Sequence, residues 1–151
     1  YDELQTLARQ YDSVKQLLEQ QPKFASTKSR LETATNNYNL CRAGLRDIES
    51  TALSIRNVLL GLQGDLYEAA RNQPKENMIW ETMAMRLAPG DTRQSARADI
   101  VRQERVHKEL ISALSTIGKD RDKNSQRDLE PLWRRVISHL YVVLTLACLR
   151  T

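Results

Sequence analysis

An apolar residue returns every seventh position through the first half of the chain, at Phe24, Leu31, Tyr38, Leu45, Ala52, Leu59 and Leu66. A second series follows three residues behind, at Thr27, Ala34, Cys41, Ile48, Ile55, Leu62 and Ala69. Residues three and four apart share one face of an α-helix, whereas a strand needs a period of two, so this stretch reads as helix. Seven heptads with one polar member, Thr27, predict a single helix over 23–72, roughly 75 Å long at 1.5 Å per residue. Gly44, Gly61 and Gly64 interrupt it, each at a cost of about 1 kcal/mol relative to alanine.

The apolar stripe is narrow from 24 to 48, with Lys28, Arg30, Asn37, Arg42 and Glu49 at its edges, and it widens from 52 to 62, where Leu53, Val58 and Leu60 join it. A narrow stripe suits one partner helix and a wide one must cover two. The first half therefore reads as a coiled-coil arm and the second as part of a bundle. A shorter helix precedes it over 3–21, with Leu4, Leu7, Tyr11, Val14 and Leu18 in its seam, and Pro22 marks a kink or break between the two.

The remainder alternates turn chemistry with helical periodicity. Pro74 and its polar neighbours make 71–77 a loop, and 78–88 reads as a short helix carrying Met78, Ile79, Trp80, Met83 and Leu87. Pro89 and Gly90 open a turn, after which a helix over 93–117 presents Ala96, Ile100, His107, Leu110, Leu114 and Ile117, with Gly118 as its expected C-terminal cap. A charged loop over 119–128 leads to a helix over 129–150, capped by Asp128 and with Pro131 in its first turn. That last helix is apolar on two faces. Leu129, Trp133, Val136, Leu140, Val143 and Ala147 form one; Leu132, Ile137, Tyr141, Leu144 and Cys148 form the other. Such a helix belongs at the centre of a bundle. Its apolar run, Leu140 to Leu149, is ten residues with Thr145 inside, half of the roughly 20 that a bilayer requires.

The expected fold is all-α and elongated: a long coiled-coil helix with a C-terminal antiparallel helical bundle. Residues 1–51 form the arm and 52–151 the bundle. Chemistry finds little support. Glu104 and His107 have the Glu-x-x-His spacing of di-iron bundles, but those sites need two such pairs. Cys41, His107, His139 and Cys148 contain no closely spaced ligand pair, so a histidine satisfied by a core neighbour is expected in place of a metal ligand. No strained Ser or Cys accompanies either histidine, and no Gly-rich loop offers a phosphate cradle. Enzyme activity, a cofactor and a small-molecule substrate are therefore not expected. Two isolated cysteines fit a reducing compartment, cytoplasmic or nuclear.

What is left is interaction. The chain reads as an oligomerisation and protein-binding segment of a larger scaffold or adaptor. A homodimer would join along Leu31, Ala34, Tyr38, Cys41, Leu45 and Ile48, unless residues 3–21 fold back across Pro22 and cover that seam. Met78, Ile79, Trp80, Met83 and Leu87 would bind a protein partner, unless they cap one end of the bundle, the more usual fate of such a stripe. The alternative is nucleic acid or anionic membrane at Arg93, Arg97, Arg102, Arg105, Arg134 and Arg135. Residues 93–151 carry 12 basic and 7 acidic side chains, a mild excess in which carboxylates interrupt every basic run.

Overall fold

The computed structural model describes residues 2–69, 80, 91–119 and 129–148. They form five α-helices and, among the described residues, no strand: α1 (Asp2–Gln20), α2 (Ala25–Arg42), α3 (Ile48–Ala69), α4 (Asp91–Lys119) and α5 (Leu129–Cys148). The break expected at Pro22 is present as a 3-10 turn, Pro22–Phe24, between α1 and α2.

The single helix expected over 23–72 is instead two helices, and the interruption has an identifiable cause. Gly44 takes φ +76°, a left-handed conformation that only glycine adopts without a Cβ penalty. The Leu45 amide then donates to the Leu40 carbonyl at 2.9 Å and the Gly44 amide to the Cys41 carbonyl at 3.0 Å. That pair of bonds is the Schellman ending of a helix. Three residues on, Asp47 opens α3: its carboxylate accepts from the Ser50 amide at 2.9 Å and from the Ser50 hydroxyl at 2.6 Å. These bonds hold the Asp47 carboxyl below the usual carboxylate range. The chain thus stops one helix and starts another within five residues, Ala43 to Asp47.

The reversal lays α3 back along α2, so the narrow and wide halves of the heptad stripe face each other. Asn37 donates to Ser54 Oγ at 2.8 Å across this pair. At its other end, the amide and hydroxyl of Thr27 both donate to Asp65 Oδ2, at 2.8 and 2.7 Å. The one polar heptad member is therefore fully buried but satisfied. Its partner carboxylate also answers a free amide in the first turn of α2, where Phe24 supplies no side-chain cap.

The five helices run alternately up and down and close into a ring. α2 packs on α1 and α3, α4 on α3, α5 on α4, and α1 on α5. Val14 and Leu18 of α1 belong to the same apolar core as Leu31 of α2, Leu59 of α3, Leu110 of α4 and Leu140 of α5. Residues 1–51, expected as a projecting arm, contribute α1 and α2 to this core. α5, expected at the centre between α4 and the wide half of the heptad helix, lies instead between α4 and α1, with a smaller contact on α3. It also reaches α2, where Trp133 stacks on Tyr38 with centroids 4.7 Å apart. Gly118, expected to cap a helix end, lies inside α4, and a Cβ there would fall 2.6 Å from Leu53 Cδ2. Its missing side chain leaves room for the Leu53 side chain of α3. The expected cap Asp128 and the loop 119–128, apart from Lys119, lie outside the described residues.

Candidate functional site

Two imidazoles meet in the middle of the bundle. His107 comes from the inner face of α4 and His139 from the inner face of α5, and both are almost fully buried. His107 Nδ1 lies 3.0 Å from His139 Nε2. The outer nitrogens are occupied as well. His107 Nε2 is 3.3 Å from Gln63 Oε1 of α3, and His139 Nδ1 is 2.8 Å from Gln103 Oε1, one turn before His107 on α4. Four polar side chains thus form one line through the core, and each ring nitrogen has a partner.

Trp80 closes this line from one side. Its indole is 5% exposed and sits 5.3 Å from the His107 ring and 6.2 Å from that of His139. The two ends of the line meet two separate clefts. Gln63, Trp80, Glu104, His107, Lys108, Ile111 and Ser112 line one of about 380 Å³ between α3 and α4. Gln103, His139, Val106, Ser138, Arg134 and Arg135 border the other, of about 280 Å³, between α4 and α5.

Burial disfavours the charged form of both rings. Desolvation, helped by the nearby Lys108 ammonium, pulls His107 down to about 4. Desolvation, helped by His107 itself, pulls His139 down to about 3. Both are therefore neutral at pH 7. Among the described residues, their hydrogen-bond partners are the Gln63 and Gln103 amides and each other, not a hydroxyl or thiol. Glu104 pairs with Lys108 at 3.3 Å, and among the described residues no three His, Cys, Asp or Glu side chains gather as metal ligands would.

The residues expected to carry function are dispersed by the fold. Leu31, Ala34, Tyr38 and Cys41, expected between two copies, are buried inside this chain, where α1, α3 and α5 cover them. Ile48 is half-buried, and Leu45 alone of that set stands in solvent, 75% exposed. Trp80 is in the core; Met78, Ile79, Met83 and Leu87 lie outside the described residues. Of the arginines, Arg102 pairs with Asp99 at 3.7 Å, Arg134 with Glu130 at 2.8 Å and Arg135 with Glu109 at 3.4 Å. Arg105 is exposed, while the side chains of Arg93 and Arg97 lie outside the described residues.

The histidine pair itself is half visible in the sequence. His107 belongs to the apolar stripe of its helix, and His139 falls between Val136 and Val143 on the face that α5 buries. Two histidines on buried stripes of neighbouring helices are a signal of a shared polar contact. Gln63 and Gln103 give none, since glutamine is ordinary on any helix surface. No helix among the described residues is long and apolar enough to cross a membrane. Among the described residues, the fold and site define an all-helical bundle with a buried histidine pair. No family model, curated protein or solved structure matches the chain.

Proposed function

We propose that this chain is a non-enzymatic protein-binding module of a larger scaffold or adaptor, and that it presents the α2–α3 turn to its partner. The observation that supports this reading is Leu45. It is a large apolar side chain held in solvent at the tip of a helical hairpin whose backbone is fixed by hydrogen bonds on both sides of it. Arg42 and Arg46 flank it, and both are exposed. An apolar knob framed by guanidinium groups fits a groove with an apolar floor and carboxylates on its rim. Arg42 and Arg46 outnumber the one carboxylate of the turn, Asp47, which is already bonded to Ser50, so we favour a different protein over a homodimer through this tip. Leu31, Ala34, Tyr38 and Cys41 are buried within the chain, so the proposal does not run through them.

Capture of partners by the full chain, compared with Leu45→Glu, tests the proposal. The substitution should remove binding and leave the helical content and melting temperature unchanged. Partner binding that survives Leu45→Glu would place the interface elsewhere. Binding to RNA or to acidic vesicles that falls steeply with salt would favour the arginines of α4 and α5 instead.

A further inference from the structure

The line Gln63–His107–His139–Gln103 contains three hydrogen bonds, and the protons available to it restrict how they can be arranged. A neutral imidazole carries one N–H and one bare nitrogen. If both glutamines offered oxygen to the pair, both outer ring nitrogens would have to donate. The two inner nitrogens, 3.0 Å apart, would then face each other with lone pairs and no proton between them. If both glutamines offered their NH2 groups, two N–H bonds would collide at the same place. Only two arrangements satisfy all three links. In one, both rings are protonated on Nδ1 and every bond points from Gln63 toward Gln103. In the other, both are protonated on Nε2 and every bond points back toward Gln63. A glutamine amide turned by 180° exchanges oxygen for nitrogen at the same position, so each end can serve either arrangement.

We propose that His107 and His139 hold matching tautomers and change them together, so that this line couples the orientation of the Gln63 amide in one cleft to that of Gln103 in the other. The link from His139 Nδ1 to Gln103 Oε1 is the shorter end, 2.8 Å against 3.3 Å at Gln63. Keeping that shorter contact and turning the Gln63 amide, whose Oε1 faces His107 Nε2, gives the Nδ1–H form on both rings, with the Gln63 N–H donating to His107 Nε2. The clefts lie on either side of α4, with Glu104 and Lys108 beside one and Arg134 and Arg135 beside the other. A solute that turns Gln103 so that its NH2 faces His139 reverses all three bonds. Gln63 then presents oxygen to His107 and its NH2 to the far cleft. The line is thus a two-state element of the kind that physical coupling between sites requires.

Long-range proton–nitrogen correlation spectra of the full chain, with its histidines nitrogen-15 labelled, read the tautomers directly at pH 7. Both rings are expected as Nδ1–H in the unaltered chain; two Nε2–H rings would also sustain the coupling. Gln103→Leu removes the acceptor for His139 Nδ1–H and should exchange the protonated and bare nitrogens of both rings. Gln63→Leu should leave both as Nδ1–H. One ring in each tautomer, a third proton shared between the rings, or a Gln103→Leu spectrum in which His139 alone switches would each overturn the proposal. Should Gln103→Leu fail to fold, the unaltered chain still decides, because unlike tautomers refute the coupling without any variant.

Discussion

The tip of the α2–α3 hairpin and the histidine line under Trp80 break the same rule in opposite directions. At the tip an apolar leucine stands in water; in the core two imidazoles and parts of two amides stand out of it. The energetic consequences are unequal. A single exposed leucine forgoes burial but leaves no polar group stranded, so the fold is indifferent to its identity. A buried polar group is tolerated only while its partners remain, and losing one strands the next. The core anomaly should therefore be sensitive to substitution and the tip anomaly insensitive, except where the tip depends on its backbone.

Trp80 offers the largest contrast. Its indole covers both imidazoles and is almost entirely excluded from solvent. Trp80→Ala should cost about 3–5 kcal/mol, measured by denaturant unfolding, because it opens a cavity and admits water to the polar line. A change well under 1 kcal/mol would mean that Trp80 contributes little to the core. The partner-binding role expected for its segment would then regain its place.

Acid should act on the core next, and its sign follows from burial. The unfolded chain takes up protons on these histidines near pH 6.5, whereas the folded chain resists until about 4 at His107 and about 3 at His139. Their contribution to stability is therefore complete above about 6.5 and is lost as the pH falls from there toward about 4 for His107 and about 3 for His139. The loss is at most about 1.4 kcal/mol per pH unit for each ring. The charged groups that line the clefts beside the pair are Lys108 and Glu104 on one side and Arg134 and Arg135 on the other. The double variant His107→Leu/His139→Leu should flatten the pH dependence between 6.5 and 4. It should also be closer in stability to the unaltered chain than either single variant, since each single change strands a buried nitrogen. An unchanged slope in the double variant would place the acid sensitivity elsewhere.

Much of this architecture is legible in the amino-acid pattern, and the limits have physical causes. The helical character, the inward face of Phe24, Leu31, Tyr38 and Leu59 and the burial of both apolar faces of α5 follow from periodicity, and the break at Pro22 follows from proline chemistry. Periodicity reports which face of each helix is apolar, not whether the chain continues. Cys41 ends one buried stripe and Ile48 begins the next seven residues later, so a hairpin preserves the heptad count across its own turn. The interruption is written in Gly44, Asp47 and Ser50, whose short-range bonds outweigh a repeat that both alternatives satisfy. Once the chain folds back there, α1 and α3 cover the stripe of α2, and the surface expected to join two copies disappears into one. The histidine pair is harder still. His107 and His139 are 32 residues apart, and a helix pattern assigns a face without naming the residue across it.

The smallest effect on stability belongs to the tip, and it separates side chain from backbone. Gly44 is indispensable there by conformation, at φ +76°, although a Cβ added to it would meet nothing within 4 Å. Gly44→Ala should therefore destabilise the chain by about 1 kcal/mol through backbone strain alone. The loss should appear in urea unfolding without any change in the pH dependence that the histidines produce. It should also tilt or fray the turn that presents Leu45, and so weaken partner capture while the leucine itself is intact. A neutral Gly44→Ala would show that the two helices can end and begin without the left-handed residue. In that event the hairpin would owe its turn to the Asp47 cap and to the packing of α3 on α2.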